Sequence, residues 1–532
     1  MLRSRRKLTI ILSTILLVAA LLIGMAVFYQ LPLKTQTEPG TQQVPPEGYA
    51  TESVAEQAIE QAIEPATEPA VTSPEGPVTE PAAEPATGPA AEPAPDPAAE
   101  PALIPAVEPA AEPVAVDLTD SMTITISDGK GSPALLDRDY ETGLNFSSAV
   151  SLRINSDENI SALYVIWDQP PGEWELLCGE PIPGGDAPPG GETIPGGETI
   201  PGGETIPGGD APPGGETIPG GKASGDDSLL FDAPLLCGKY GFIHEYINLP
   251  HPANEITIKI PGGGASLRDI YAFSAGRPPD WAQIWKPPCT IADLLVLPTH
   301  ADDEHLYFVG LLPYYAGELG LRVQVAYLTH HWRQPPRPHE LLNGLWAVGV
   351  RNYPVIGGFP DRYAESLSEA VSIYGWDQVV EYQVSLLRRF KPLVVVGHDL
   401  NGEYGHGAHM LGAHAILAAA DLAADPAYHP GSLQRYGVWD TPKLYLHLYR
   451  KNAITMDWSR PMLNFGGACA YEVAVQGYDC HRSQHQWAFR VPAAGPSGHL
   501  FGLARSRVGA DVIGGDMFEN IDFSRHLDFV PA

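Results

Sequence analysis

Two hydrophobic patterns divide the folded part of the chain. Between about residues 117 and 280, short stretches alternate apolar and polar residues, as in Met122–Ile126 and Glu255–Ile260. Such stretches predict half-buried antiparallel strands, and several in succession predict a β-sandwich. Further along, fully apolar runs alternate with amphipathic stretches such as 376–390. That rhythm predicts buried parallel strands and helices, hence an α/β, Rossmann-like domain over 288–532.

The individual elements follow from the same patterns. In the first region we predict strands at 122–126, 162–167, 255–260 and 269–273. In the second we predict strands at 294–297, 323–328 and 393–396, with helices at 340–348, 376–390 and 412–424. The stretch Leu-Leu-Asp-Arg-Asp-Tyr-Glu-Thr at 135–142 resembles the opening of a discoidin-type jelly roll, which implies a possible carbohydrate-binding role. A plain spacer is the alternative.

The N-terminus has the pattern of a membrane anchor. Residues 1–7 carry a basic cluster, and residues 8–28 are uncharged and apolar. Twenty-one helical residues span about 30 Å, the thickness of the hydrocarbon core. The basic cluster predicts a cytoplasmic N-terminus and an extracytoplasmic remainder. A cleaved signal peptide, which would make the protein secreted, is the alternative.

Two segments have low complexity. Residues 35–116 repeat Glu-Pro-Ala units, which predicts an extended, disordered tether because prolines and like charges oppose compact structure. Residues 182–221 repeat a Pro-Gly-Gly hexapeptide, which predicts a flexible loop inserted into the sandwich.

Charge limits the possible partners. The formal net charge is -32, and no Lys or Arg occurs between Lys34 and Lys130 or between Arg153 and Lys222. So acidic a surface argues against nucleic acid as a partner and against anionic lipid surfaces.

The five cysteines leave two patterns open. Cys178 with Cys237, and Cys469 with Cys480, would form two disulfides in an oxidising compartment and leave Cys289 free. Free buried thiols are the alternative.

A polar cluster follows the apolar run 294–297. It contains a histidine, two adjacent aspartates and a glutamate: His300, Asp302, Asp303 and Glu304. Ionisable side chains at one strand end repel one another and resist burial. They therefore indicate cation binding or proton chemistry more than fold stability.

A second polar cluster follows the run 393–396 and includes His406 and His409. Parallel strands bring both clusters to the same edge of the sheet, so His300, Asp303 and His409 can converge. Two imidazoles and one carboxylate with an open position are typical of a catalytic zinc site, although iron or cobalt could use the same ligands.

The two clusters also carry a family resemblance. Thr-His-Ala-Asp-Asp-Glu at 299–304 and Gly-His-Gly-Ala-His at 405–409 resemble the motifs of the PIG-L/LmbE-like family of zinc-dependent N-deacetylases, over roughly residues 290 to 500. Ala301 replaces a usual proline. Gly407 and Ala408 replace a Pro-Asp pair, which removes a possible partner that orients a histidine. Asp399 or Glu403 would then have to compensate.

The resemblance implies a role for each site residue. Zinc would be held by His300, Asp303 and His409. The implied general base is Asp302, the implied oxyanion partner is His406, and the implied substrate contacts are Arg337 and Tyr404. Residues 481–484 resemble a late His-x-Ser-Gln motif, for which we predict a packing role.

Other histidines receive plainer predictions. His398 is expected to be a satisfied core or edge group. Of His330, His331 and His339, which lie near the site in sequence, one could contact substrate.

Together these observations predict a membrane-anchored, extracytoplasmic, zinc-dependent hydrolase. The resemblance implies N-acetylated sugars or glycoconjugates as substrates, and the location suggests cell-wall polysaccharide. The alternative is a surface carbohydrate-binding or adhesive protein with an inactive deacetylase-like domain.

Overall fold

The computed structural model describes residues 112–127, 129, 131–179, 233–493 and 498–529. The predicted anchor, nearly all of the predicted tether and the hexapeptide repeat lie outside these residues. Within the described ranges, no helix is long and apolar enough to cross a membrane.

Seven antiparallel strands form the first region, in agreement with the alternating pattern. They are β1 (Met122–Ile126), β2 (Leu144–Phe146), β3 (Val150–Gln169), β4 (Trp174–Cys178), β5 (Leu235–Cys237), β6 (His244–Ile260) and β7 (Ala265–Phe273).

Hydrogen bonds join these strands into one sheet with the order β2-β7-β3-β6-β4-β5, and β1 also pairs with β3. The separate sheets of the predicted sandwich are not seen in this pairing. The reason is that β3 and β6 are long, at 20 and 17 residues, and their pairing holds the neighbouring strands in one sheet. β3 pairs with β1 near its start and with β7 near its end, and its register with β6 shifts between Asn155 and Ala162.

The cysteine geometry does not support the predicted disulfides. Cys237 is a free thiol, and it lies opposite Trp174, four residues along β4 from Cys178. Cys469 and Cys480 are also free and flank a ten-residue helix. Helical rise separates the flanking residues by about 16 Å, whereas a disulfide needs Cα atoms within about 7 Å.

The second region is an α/β domain built on a seven-stranded sheet. Its strands are β8 (Leu294–Val296), β9 (Val323–His330), β10 (Val355–Pro360), β11 (Val394–Gly397), β12 (Lys443–His447), β13 (Ala453–Thr455) and β14 (Leu500–Ser506). Its α-helices are α1 (Asp303–Leu306), α2 (Pro336–Ala347), α3 (Leu367–Tyr374), α4 (Trp376–Phe390), α5 (Gly407–Leu422), α6 (Pro430–Tyr436) and α7 (Ala470–Asp479).

The strand order is β10-β9-β8-β11-β12-β14-β13. The first five strands are parallel, and β14 and β13 add antiparallel pairs at one side. This is the doubly wound order, which reverses direction between β8 and β11. The α/β prediction is therefore confirmed, with an antiparallel extension that the sequence pattern did not show.

Helix α5 begins earlier than predicted, and the difference matters for the site. The predicted start was Gly412, because the alanine- and leucine-rich pattern becomes clear only there. In the structure His406 is the N-cap, and its Nδ1 accepts a hydrogen bond from the Ala408 N–H at 3.1 Å. His409 consequently lies in the first turn of the helix.

A buried polar network joins the antiparallel sheet to α2. His339 of α2 lies with Nε2 at 2.8 Å from Asp168 Oδ1 and with Nδ1 at 2.9 Å from Nε2 of His244. His244 Nδ1 in turn lies 2.9 Å from the Tyr164 hydroxyl. Both histidines are fully buried, so His339 contacts the neighbouring sheet and not the pocket.

Candidate metal centre and active site

The predicted site residues meet where the strand order reverses. The loop after β8 supplies His300, Asp302 and Asp303, and the segment after β11 supplies His406 and His409. In doubly wound sheets this crevice is the usual ligand-binding position, because neighbouring loops diverge to opposite faces there.

Three donor atoms form a close triangle. His300 Nδ1 lies 3.1 Å from His409 Nε2 and 3.3 Å from Asp303 Oδ2, and His409 Nε2 lies 3.3 Å from that same oxygen. Tetrahedral zinc with bonds of about 2.0–2.1 Å holds its ligand atoms about 3.3 Å apart. The triangle therefore has the dimensions of one face of such a site.

Glu403 orients His409 from behind. Its Oε2 lies 2.9 Å from His409 Nδ1 and 2.7 Å from His398 Nδ1, and its Oε1 lies 2.7 Å from His447 Nδ1. Despite complete burial, His398 and the other two imidazoles hold the pKa of Glu403 well below its ordinary value. This carboxylate is therefore ionised, and of Asp399 and Glu403 it is the one that contacts His409.

The hydrogen bonds assign the ring protons. His398 Nε2 accepts from the Thr299 N–H at 3.0 Å, and His447 Nε2 accepts from the Gly498 N–H at 3.1 Å. Both rings therefore donate to Glu403 from Nδ1. His409 Nδ1 lies 2.9 Å from the same carboxylate, so neutral His409 with its proton on Nδ1 would keep a bare lone pair on Nε2.

In that state Nε2 would face His300 Nδ1 and Asp303 Oδ2. Electron-rich atoms that face one another in this way favour a bound cation. Asp303 Oδ2 already accepts from the backbone N–H groups of Thr299 and His300, at 3.1 and 2.7 Å. Although burial opposes ionisation, His409 and His300 hold the pKa of Asp303 well below its ordinary value. Although burial opposes protonation, Asp303 and Glu403 raise the pKa of His409 to about 10. A bound metal would displace that proton.

Asp302 lies beside the triangle in a strained conformation. Its φ is 127°, in a region that residues other than glycine rarely adopt. The strain is supported on both sides: the Asp302 N–H donates to Glu304 Oε2 at 3.0 Å, and Arg337 Nη2 donates to the Ala301 carbonyl. Burial raises the pKa of Asp302 well above its ordinary value, against the opposing charge of Arg337.

His406 presents a neutral donor to the pocket. Its Nδ1 accepts from the Ala408 N–H, so its proton resides on Nε2. Burial, together with His300 and His409, lowers the pKa of His406 to about 3. The ring is therefore uncharged near neutral pH and suits hydrogen-bond donation better than proton transfer.

These groups line one cavity of about 680 Å³. The predicted site residues in its wall are His300, Asp302, Asp303, Arg337, Tyr404 and His406. Five aromatic rings also line it: Tyr307, Tyr363, Tyr404, Trp487 and Phe489. Tyr404, Tyr363 and Trp487 are 52%, 61% and 57% exposed, so they are open to a bound molecule.

Known proteins resemble the α/β region. The chain is 42% identical over 187 residues to the 1D-myo-inositol 2-acetamido-2-deoxy-alpha-D-glucopyranoside deacetylase of Rhodococcus erythropolis, covering 29% of this chain and 59% of the relative. The enzyme of the same name from Geodermatophilus obscurus is 35% identical over 115 residues, covering 20% and 38%. The C-terminal half of the chain contains a PIG-L/LmbE-like domain.

The similarity covers only part of each protein. Across the curated deacetylases that match, the chain spans 34% to 61% of the relative's length. The N,N'-diacetylchitobiose deacetylase of Pyrococcus horikoshii aligns with a TM-score of 0.30 at 17% identity, over 37% of this chain and 72% of that one. No family model matches the chain.

Sequence reasoning missed several groups of the PIG-L/LmbE-like domain. Asp361 follows β10 directly, and its Oδ1 lies 3.5 Å from His300 Nε2 while its Oδ2 lies 3.2 Å from His331 Nδ1. Despite burial, a hydrogen bond from His331 and the charge of His300 lower the pKa of Asp361 to about 2. The signal was available, since a polar residue after a third parallel strand belongs to the same edge.

His398 is buried and hydrogen-bonded, as predicted, and His331 is one of the three histidines of which one could contact substrate. The first shares Glu403 with His409, and the second accepts from the Ala301 N–H at 3.2 Å and faces Asp361. Both therefore support the residues that face the cavity.

Proposed function

We propose that the PIG-L/LmbE-like domain is a zinc-dependent N-deacetylase that removes acetyl groups from N-acetylated sugars or glycoconjugates. The observation that carries this proposal is the donor triangle of His300, Asp303 and His409, with Asp302 beside it. The names of the relatives, which are deacetylases of an acetamido sugar, support the same conclusion.

Zinc held by these three residues would supply Lewis acidity that polarises the amide carbonyl. Side chains of the protein then carry out the proton transfers. Asp302 takes a proton from the attacking water as general base and returns it to the departing amine. Its raised pKa gives the Asp302 carboxylate a greater affinity for the proton that it accepts and then returns.

His406 stabilises the oxygen on which charge develops. Its Nε2–H is fixed in direction, because Nδ1 is held by the Ala408 N–H at the start of α5. A preorganised donor of this kind typically contributes about 10²–10³ in kcat. Arg337 holds the Ala301 carbonyl and lies 3.4 Å from Asp302 Oδ1, so it orients the base.

The cavity supports a sugar substrate. Its volume is within the range of small-molecule sites, and its lining combines aromatic rings with polar groups that include Gln334 and Gln484. Sugar rings present both apolar C–H faces and hydroxyls, which match this combination.

We place the domain outside the cytoplasm, anchored by residues 8–28 and spaced by the acidic tether. The support is the basic cluster before an apolar stretch of membrane length. Cell-wall polysaccharide is then a natural substrate, and secretion after signal cleavage is the alternative.

The experiment is acetate release from a panel of N-acetylated sugars, with parent protein, chelator-treated protein and an Asp302→Asn variant. We expect chelator to abolish release and zinc to restore it. The variant should lose at least about 10² in kcat while keeping its metal. Parent protein without stoichiometric metal, or an Asp302→Asn variant as active as the parent, would contradict the mechanism and favour a binding protein with an inactive domain.

A further inference from the structure

A second cluster of metal-binding side chains lies outside the donor triangle. Glu304 and His305 belong to α1, and His481 follows α7. All three are completely buried, and their donor atoms lie within 4.8 Å of one another. The packing role predicted for residues 481–484 does not account for this convergence.

The distances match those of a coordinated ion. Glu304 Oε1 lies 3.3 Å from His305 Nε2 and 3.6 Å from His481 Nε2. As at the donor triangle, tetrahedral zinc holds its ligand atoms about 3.3 Å apart.

No hydrogen bond of good geometry reaches these polar atoms from the described residues, although the Tyr327 hydroxyl interacts with the Glu304 carboxyl. Glu304 Oε1 and both ring nitrogens of His305 and of His481 are buried without a hydrogen-bond partner. Each unsatisfied buried polar group costs about 1–3 kcal/mol. Five such atoms in one place are rare in native proteins and call for an ion or water.

Two glycines keep the space between the rings open. A Cβ at Gly344 of α2 would lie 2.7 Å from His305 Nε2 and 2.9 Å from His481 Nε2. A Cβ at Gly477 of α7 would lie 2.5 Å from His305 Cε1. Both Nε2 atoms therefore face the same small space, which any side chain at Gly344 would fill.

We propose that Glu304, His305 and His481 form a second, buried site for a divalent ion of the zinc type. Imidazole nitrogens and a carboxylate oxygen are ligands that such ions accept. The site would tie α1 to α7, two elements that otherwise meet only by packing.

The second site would also position the base. Glu304 Oε1 faces the proposed ion, while Oε2 accepts the Asp302 N–H at 3.0 Å. Fixing Glu304 thus helps to hold Asp302 at its unusual φ of 127°. In this role Glu304, His305 and His481 are positioning residues, since none of them lines the cavity.

The test is the metal content of full-length protein, purified without a histidine tag and dialysed, measured by mass spectrometry. We expect two ions per chain in the parent, one in a His300→Ala/His409→Ala double variant, and one in a His305→Gln variant. The exposed His485→Gln change should leave two. One ion in the parent, or none in the double variant, would overturn the proposal.

The double variant leaves the second cluster intact, so the result does not depend on whether a His305 or His481 variant folds. It also separates this proposal from the catalytic one. A parent with one ion that the double variant loses keeps the proposed function and removes the second site. A double variant with one ion should show a lower melting temperature after chelator treatment, whereas water in the cluster would produce no such shift.

Discussion

Nδ1 of His409 lies 2.9 Å from Oε2 of Glu403, on the side of the ring opposite the nitrogen that faces Asp303. This contact orients the ring from behind. Of the two nearby acids, Asp399 and Glu403, the structure places Glu403 against His409.

Replacing Glu403 by Gln should therefore weaken metal binding at the donor triangle by about 10–100-fold. The amide cannot accept from three imidazoles as the carboxylate does. Competition with a zinc chelator measures the affinity. Asp399→Asn is the matched control in the same loop, because that carboxylate accepts only from the Asn401 amide among the described contacts; an equal loss there would contradict the assignment.

His406 has two separable roles, as N-cap of α5 and as donor to the cavity. His406→Ala should lose about 10²–10³ in kcat and about 1 kcal/mol of unfolding free energy through the lost cap. His406→Asn should restore the cap but remain equally slow, because its shorter side chain does not reach the cavity. Kinetics and denaturant unfolding measure the two effects, and a fully active His406→Asn variant would exclude the donor role.

His339 connects the two regions of the described fold. His339→Ala should destabilise the protein by about 1–3 kcal/mol, since it removes one buried hydrogen-bond partner from Asp168 and one from His244. Denaturant unfolding measures the loss. The exposed His485 provides the control, and an unchanged midpoint for His339→Ala would show that water satisfies the network.

Gly344 should not tolerate a side chain. Alanine improves helix propensity by about 1 kcal/mol, but its Cβ would crowd His305, His481 and the Gly477 carbonyl. We expect net destabilisation, since overpacking costs about 1–3 kcal/mol. Gly431 of α6 has nothing within 4 Å of a Cβ, so Gly431→Ala should be neutral or stabilising. Thermal melting of the two variants compares them directly.

Asp293 gives a pH dependence away from the site. Although burial opposes it, hydrogen bonds from His526 and Arg322 lower the pKa of Asp293 to about 2, against about 3.9 when unfolded. Its stabilisation is therefore complete above about pH 4 and is lost as the pH falls towards 2. Allowing for solvent screening at the partly exposed Arg322, we expect about 1 kcal/mol.

An Asp293→Asn variant should show a smaller loss of unfolding free energy between pH 4.5 and 2.5, on the order of that amount. Asp280→Asn, which breaks an exposed pair with Arg277, should follow the parent. Identical pH dependence in the parent and Asp293→Asn would remove the assignment.

The sequence by itself determined the kind of fold and the residues that form the donor triangle and face the cavity. Apolar runs at 294–297 and 393–396 predicted buried parallel strands, and the polar residues after them were therefore expected at one sheet edge. The spacing of the hydrophobic residues also predicts helix α4, which the structure shows at Trp376–Phe390. These are local properties, since each depends on residues that are close together along the chain.

Only the tertiary structure decided which groups support those residues. The structure decided between Asp399 and Glu403 as the acid behind His409, and it added His447 and Asp361, which the sequence analysis did not single out. It also placed His481, which lies far along the chain from Glu304, 3.6 Å from its carboxylate. Such pairs depend on how the elements pack, because burial and distance are properties of the assembled fold and not of sequence order.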